Sequence, residues 1–271
     1  MQTPVNPFKK AIAEKRTQYG LWSSMLGPIP TEICAAAGFD WLLLDGEHSP
    51  NSPLNLLQQA QVVAGYPGTH AIARIPMGHG WVGQALIKQV LDVGIQTLLV
   101  PMVETAEQAR ELVRCMRYPP QGIRGLAGVR ASGWGRNPSY TKEANSQVCL
   151  LVQAETRAGI DNLDAIAAVD GVDGVFIGPA DLSASYGHVG DPWHPEMLEI
   201  HEDAFRRIQA AGKAVGILTL EEERARQHVE MGATFIAVGT DSNLMVKSTT
   251  ALAAKFKGTG AAAPAAKGGN Y

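Results

Sequence analysis

Cysteine is scarce in this sequence, and its distribution excludes a disulfide-rich protein. Only three cysteines, Cys34, Cys115 and Cys149, occur among 271 residues. Their number is odd, they are far apart, and no two form a CxxC motif, so neither a disulfide framework nor a redox pair is indicated. We therefore predict that all three are reduced thiols with structural roles.

Long apolar runs and an excess of basic charge are also absent. No stretch reaches the roughly 18 consecutive apolar residues of a membrane span, and the first residues lack the apolar core of a signal peptide. The net charge is −3, with both signs scattered along the chain, so no basic stripe is available for a nucleic-acid backbone. We expect a soluble, cytoplasmic protein with neither nucleic-acid nor membrane partners.

The hydrophobic residues are instead divided into short runs that alternate with helix-period segments. This alternation is typical of a parallel sheet wrapped by helices, and eight runs are enough to close a barrel. The runs are GLWSS, WLLLDGE, HAIARIP, TLLVPMV, CLLVQAE, VDGVFIG, AVGILTL and TFIAVGT. We predict the α/β class and a single (β/α)8 TIM barrel over residues 1–257, followed by a low-complexity tail over 258–271.

Titratable and polar residues occur where several of these apolar runs end. In a (β/α)8 barrel the active site lies at the C-terminal ends of the strands, and an unpaired charge buried there would cost several kcal/mol. The residues at these positions are Asp45, Glu47, His48, Arg74, Glu104, Gln153, Glu155 and Asp181. We interpret them as a candidate site rather than as part of the core.

Two of these residues, Glu155 and Asp181, suggest a metal site. Carboxylates at adjacent strand ends repel each other unless a proton or a divalent cation lies between them. Oxygen ligands with open water positions suit Mg²⁺, Mn²⁺ or Co²⁺ better than a structural zinc. The alternative is that each carboxylate pairs with an arginine, for which Arg157 and Arg124 are candidates.

Arg74 and His48 supply the other chemistry of the predicted site. A guanidinium at the barrel mouth can bind a carboxylate or a developing enolate through two hydrogen bonds; the alternative is an internal salt bridge with Asp45. Because His48 follows Asp45 by three residues, we predict a dyad in which the carboxylate orients the imidazole. The GPAD turn, residues 178–181, would direct backbone N–H groups at an anion.

Two other mechanisms are disfavoured. Gly78, Gly80 and Gly83 match the GxGxxG spacing of a dinucleotide site, but Pro76 ends the preceding strand and spoils the tight turn that such a site requires. None of the lysines lies at the C-terminal end of an apolar run, where a Schiff-base lyase would need one. Carbanion chemistry in this protein would therefore have to use a metal ion.

Six motifs in the sequence resemble one known family. LDGEH, the arginine of ARIP, IKQVLDVGIQTLLVPMVE, YPPQGIRG, LVQAET and GVDGVFIGPADLSASYG are similar to motifs of the HpcH/HpaI aldolase family, the metal-dependent class II pyruvate aldolases. The resemblance extends from about Gly20 to Phe256. The segment between Arg74 and IKQ is longer than in the family, and RGLAGVRASGWGR is shorter, so the resemblance leaves the choice of aldehyde open.

The resemblance implies a role for each matching residue. It implies that Glu155 and Asp181 ligate the divalent metal, that Arg74 stabilises a pyruvate enolate, and that His48 with Asp45 handles the proton. It further implies that the pyruvate carboxylate is held by Gln153, Gly178, Pro179 and Ala180, while Trp22 and Leu218 line the pocket. Asp92 would reach the site of a neighbouring subunit in a hexamer built from two trimers.

The expected reaction is the reversible cleavage of a 4-hydroxy-2-oxo acid into pyruvate, or a close 2-oxo acid, and an aldehyde. Either His48 or metal-activated water could remove the proton of the 4-hydroxyl group. A citrate-lyase-like enzyme with another electrophile is one alternative. The other is a non-catalytic barrel that binds keto acids, although it would need neither His48 nor both metal carboxylates.

Overall fold

Eight parallel strands form a closed barrel in which each strand pairs with its neighbours in sequence and β8 pairs with β1. The computed structural model describes residues 2–258. The strands are β1 Gln18–Ser23, β2 Trp41–Asp45, β3 His70–Arg74, β4 Thr97–Val100, β5 Cys149–Ala154, β6 Val172–Ile177, β7 Ala214–Leu218 and β8 Phe235–Thr240. All eight predicted runs form strands, so the TIM-barrel prediction is confirmed. Beyond Gly258, the predicted tail lies outside the described residues.

Helices connect the strands and surround the barrel. They are α1 Pro7–Ala13, α2 Pro28–Ala36, α3 Pro53–Val63, α4 Gly80–Asp92, α5 Ala106–Met116, α6 Tyr140–Gln147, α7 Arg157–Asp161, α8 Leu163–Ala167, α9 Pro179–Ser185, α10 Pro195–Ala210, α11 Glu222–Glu230 and α12 Asp241–Lys257. Several begin at a side-chain cap; Ser52 and Thr105, for example, each form a capping box. Between residues 2 and 258, no helix combines the length and apolarity needed to cross a membrane.

Alternation along the strands divides the apolar residues into two layers. In β2, Leu42 and Leu44 pack outward against the helices, whereas Trp41 and Leu43 belong to the cluster inside the barrel. Side chains in a strand alternate between its two faces, so Asp45, the last residue of β2, also points inward. At the ends of the other strands, polar residues in the equivalent inward-facing positions also point to the C-terminal opening of the barrel.

Helix α1 closes the opposite end of the barrel. Phe8 packs edge-on against Trp41 and Phe235, with ring centroids 6.2 and 5.9 Å away, and stacks on His70 at 5.7 Å. These contacts bury the N-terminal ends of β2, β3 and β8. Helix α1 therefore covers the end of the barrel at which the strands begin.

Two glycines of the GxGxxG sequence, Gly78 and Gly83, allow close packing around the loop between β3 and α4. A Cβ atom at Gly83 would lie 2.2 Å from the carbonyl carbon of Gly78, and one at Gly78 would lie 2.3 Å from Val100 Cγ1. This packing explains both glycines without a role in binding a phosphate group.

The three cysteines are free thiols, with Cys115 and Cys149 buried.

Candidate active site

A cavity of about 180 Å³ lies at the C-terminal ends of the strands. Its walls are formed by Trp22, His48, Arg74, Gln153, Glu155, Phe176, Gly178, Pro179, Ala180, Asp181 and Leu218. All of the predicted site residues line it except Asp45, Glu47, Asp92 and Glu104. Phe176 was not predicted, although the alternation along β6 gives it the same inward parity as the other wall residues.

Arg74 is the only guanidinium in the wall of this cavity, and two carboxylates hold it. Its Nε and NH2 atoms donate to Asp45 Oδ1 and Oδ2 at 2.9 and 2.7 Å, while NH1 lies 2.7 Å from Glu47 Oε2. The guanidinium carbon lies 4.7 Å from the centroid of the Trp22 ring. With 4% of its surface exposed, Arg74 is fixed in one orientation before any ligand binds. The predicted alternative, a salt bridge with Asp45, is therefore present.

The predicted hydrogen bond between Asp45 and the His48 imidazole is wrong. Asp45 Oδ1 instead accepts from the backbone N–H groups of Glu47 and His48, at 2.9 and 3.4 Å, and Oδ2 accepts from Trp22 Nε1 at 3.2 Å. Burial favours the neutral acid, but the bonds to Arg74 and its charge hold the pKa of Asp45 below its ordinary value. The His48 imidazole faces Glu47, with Nε2 3.8 Å from Oε2.

Glu155 is a buried carboxylate that directs one face at the cavity. Its Oε1 accepts from the backbone N–H of Met102 at 2.8 Å, and its Oε2 accepts from Gln153 Nε2 at 2.6 Å. Burial, together with the charges of Glu47 and Asp181, raises the pKa of Glu155 to about 7. Negative charge therefore accumulates at this wall of the cavity, and a cation bound there would relieve the repulsion.

The surroundings of Glu155 leave space for such a cation. A Cβ atom at Gly178 would lie 2.3 Å from Glu155 Oε2, so only glycine lets the backbone approach the carboxylate. Asp181, in the first turn of α9, lines the same cavity. These oxygen donors beside an open cavity are the ligand set that hard divalent cations prefer.

The proposed arginine partners of the two metal carboxylates are engaged elsewhere. Arg124 donates to Asp92 Oδ1 at 2.8 Å, and Arg157 stacks over Tyr186 at 3.9 Å. The alternative in which these arginines neutralise Glu155 and Asp181 is thus not supported. Asp92 ends helix α4 and is not among the residues that line the cavity of its own chain; its role toward a neighbouring subunit stays a prediction.

Comparisons with known proteins agree with this geometry. The model of the family described as HpcH/HpaI aldolase/citrate lyase matches residues 18–248. A 4-hydroxy-2-oxovalerate aldolase of Rhodococcus jostii (strain RHA1) is 54% identical over 94% of this chain and 98% of its own length. A hydroxypyruvate/pyruvate aldolase of Pseudomonas aeruginosa is 52% identical over the full length of both proteins. The crystal structure of a family protein from Burkholderia cenocepacia J2315 is 36% identical, covers 93% of this chain and 100% of its own, and superposes with a TM-score of 0.89.

Proposed function

The chain belongs to the HpcH/HpaI aldolase/citrate lyase family and is a metal-dependent class II aldolase, a carbon–carbon lyase; from this premise we propose the substrate and the role of each site residue. The substrate is a 4-hydroxy-2-oxo acid, cleaved reversibly to pyruvate, or a close 2-oxo acid, and an aldehyde. The names of the relatives do not favour the citrate-lyase-like or non-catalytic alternatives. The proposal is carried by the presence of Arg74, Glu155 and Asp181 around one small cavity.

Glu155 and Asp181 are the residues that would hold the divalent cation. When bound, Mg²⁺, Mn²⁺ or Co²⁺ would act as a Lewis acid that withdraws electron density from the 2-oxo group. The buried Met102 N–H and Gln153 amide fix the Glu155 carboxylate, which preorganises one ligand.

Arg74 stabilises the enolate that develops when the carbon–carbon bond breaks. Negative charge moves onto the 2-oxo oxygen at that moment, and a preorganised donor in a site shielded from water stabilises it strongly. Asp45 and Glu47 prevent the guanidinium from reorienting, because their carboxylates together bind all three of its nitrogens. Glu47 was noted in the sequence but not assigned a role; its contact with Arg74 supplies one.

His48 accepts the proton of the 4-hydroxyl group as the bond breaks and returns it in the reverse direction. Its imidazole lines the cavity, and its side chain is half exposed, so it can exchange the proton with solvent. The Asp45 carboxylate makes no hydrogen bond to the imidazole, and the acidic side chain beside the ring is that of Glu47. A histidine at this place can act as a general base near neutral pH.

The remaining wall residues hold the three-carbon fragment. The backbone of Gly178, Pro179 and Ala180 enters helix α9, where the first N–H groups favour a carboxylate. Gln153 Nε2 has a second N–H besides the one that it donates to Glu155, and this second N–H can bind the carboxylate of the substrate. Trp22, Phe176 and Leu218 form an apolar wall suited to the methyl group of pyruvate.

A pyruvate-release assay tests this proposal. The purified protein is supplied with a panel of 4-hydroxy-2-oxo acids, first with excess EDTA and then with Mg²⁺, Mn²⁺ or Co²⁺ restored. We expect chelation to abolish release and a divalent cation to restore it. Activity that survives complete chelation would exclude the proposed mechanism.

Exchange of the pyruvate methyl protons in D₂O tests the role of Arg74 without an aldehyde. The Arg74→Ala variant should exchange roughly 100- to 1,000-fold more slowly, a loss of about 3–4 kcal/mol by analogy with the removal of one oxyanion donor. Arg110→Ala, which changes an arginine on the exposed side of α5, should exchange at the wild-type rate. Near wild-type exchange in Arg74→Ala would contradict the enolate role.

A further inference from the structure

Three potential metal ligands outside the cavity lie in and beside the loop between α9 and α10. One ligand atom each from His188, His194 and Glu196 lies within 4.8 Å of the other two. None of these residues lines the cavity or takes part in the proposed reaction. Because α9 carries Asp181, the loop connects the candidate active site to the outer helix α10.

The contacts among these side chains bring two imidazoles and a carboxylate together. His188 Nε2 lies 2.7 Å from Glu196 Oε2, so the two atoms share a proton. The rings of His188 and His194 stack with centroids 3.7 Å apart and an interplanar angle of 14°. The stacking and the contact with Glu196 place the ring nitrogens and the carboxylate close enough to converge on one ion.

We propose that His188, His194 and Glu196 bind one divalent transition-metal ion of the Zn²⁺ class. The ion takes the position of the proton between His188 and Glu196. In the structure, His194 Nδ1 accepts a hydrogen bond from the backbone N–H of Glu196 at 3.3 Å. This bond breaks when a ring nitrogen of His194 binds the ion. The ligand atoms of a tetrahedral zinc ion lie roughly 3.4 Å from one another. Rotation of the side chains is enough to bring their ligand atoms to this distance, because these side chains are partly exposed.

The donor atoms separate this site chemically from the cavity. Two imidazole nitrogens and one carboxylate favour Zn²⁺, Ni²⁺ or Cu²⁺, whereas the carboxylates of the cavity favour Mg²⁺ or Mn²⁺. Three protein ligands leave a position for water, as in an open zinc site. The bound ion would clamp the loop to the first turn of α10.

Zinc titration by isothermal calorimetry tests the site in a background without the cavity ligands. The Glu155→Gln/Asp181→Asn double variant, dialysed free of metal, should bind one Zn²⁺ per chain at pH 7.5 and bind no Mg²⁺. Adding His188→Gln or His194→Gln should weaken zinc binding at least tenfold. Adding His79→Gln instead, at a histidine outside the cluster, should change nothing.

Two further measurements keep the result interpretable. Zinc affinity should fall as the pH is lowered from 7.5 to 6, because the ion must displace protons. The His188→Gln variant of the otherwise native chain should keep its Mg²⁺-supported activity, and this activity shows that the variant folds. Absence of zinc binding in the double variant, or unchanged binding after both histidine replacements, overturns the proposal. Neither result bears on the aldolase function, because the double variant has already lost the catalytic ligands.

Discussion

Asp45 belongs with Arg74 rather than with His48, and the register of the barrel is the reason. Strands β2 and β3 pair from Trp41 opposite His70 to Asp45 opposite Arg74. Two inward-facing residues at the same level of adjacent strands face each other directly, whereas His48 lies beyond the strand in a loop that turns its ring toward Glu47. Proximity in sequence favoured the dyad over the salt bridge that was the alternative; the register instead favours the ion pair, across 29 residues.

Double-mutant cycles on kcat/KM distinguish the two partners of Asp45. We expect Asp45→Asn and Arg74→Ala to be coupled by about 1–3 kcal/mol, since each breaks the same buried pair. Asp45→Asn and His48→Ala should be coupled more weakly than that pair, because the His48 imidazole makes no bond to Asp45. Strong coupling to His48 with weak coupling to Arg74 would restore the dyad.

Met102 adopts a backbone conformation that is costly for its residue type but useful at the site. Its φ is 54°, in the left-handed region that costs non-glycine residues about 1–2 kcal/mol. This conformation turns its N–H toward Glu155, while its side chain is 41% exposed. Strain of this kind is typical of functional sites.

Replacing Met102 by glycine tests this strain. The unfolding free energy of Met102→Gly should equal the wild-type value or exceed it by up to about 1.5 kcal/mol, because relief of about 1–2 kcal/mol of strain offsets the entropic cost of glycine, about 0.5–1 kcal/mol. Met77 has a similarly exposed side chain but no positive φ, so Met77→Gly should lose that full cost. Urea unfolding measures both, and equal losses in the two variants would show that position 102 carries no strain.

At the scale of elements, the sequence predicted those parts that are defined by their own periodicity. The eight strands are apolar runs, and the helix-period segments between them overlap helices α2–α5, α7, α8 and α10–α12. Helices α1, α6 and α9 were not predicted. All three are at most eight residues long, too short to show several turns of periodicity, and they are stabilised by contacts made only in the folded barrel.

Helices α10 and α11 bury two histidines that make the fold sensitive to acid. Burial, with the nearby charge of Arg224, lowers the pKa of His201 to about 3 and that of His228 to about 4. Both are therefore neutral in the folded protein, whereas in the unfolded chain each takes up a proton near pH 6.5. The unfolded state binds more protons between these values, so stability is greatest above pH 6.5 and is lost as the pH falls.

The pH dependence of unfolding measures this contribution. Between pH 6 and 5, His201→Phe should reduce the slope of unfolding free energy against pH by about 1 kcal/mol per unit, close to the limit of 1.4 for one proton. His79→Gln, which changes a partly exposed histidine outside this cluster, should leave the slope unchanged. A slope unaffected by His201→Phe would mean that the buried ring is protonated in the folded protein.

At the scale of the whole molecule, large apolar side chains are exposed on two of the outer helices. Helix α12 exposes a row of large apolar side chains, and α2 exposes Ile29 and Ile33; those on α12 are Leu244, Met245, Val246, Leu252 and Phe256. Contiguous apolar surface of this kind marks interaction sites more often than free surface. It supports the predicted homo-oligomer, for which a hexamer is expected from the resemblance to the family.

The predicted role of Asp92 can be separated from its structural role by mixing subunits. Asp92 neutralises Arg124, whose side chain is 1% exposed. Asp92→Asn alone should therefore lower both stability and activity, and it does not distinguish the structural role from a role in a neighbour's site. If Asp92 instead completes a neighbour's site, oligomers refolded from equal amounts of Asp92→Asn and Arg74→Ala chains contain sites with both groups intact. We expect about a quarter of wild-type activity if each site borrows from one neighbour.

Arg74→Ala mixed with His48→Ala is the control, because both residues line the cavity of the same chain and no arrangement of those subunits restores an intact site. Recovery in the first mixture but not in the second therefore requires a residue contributed across the interface, whereas equal residual activity in both would confine Asp92 to its bond with Arg124.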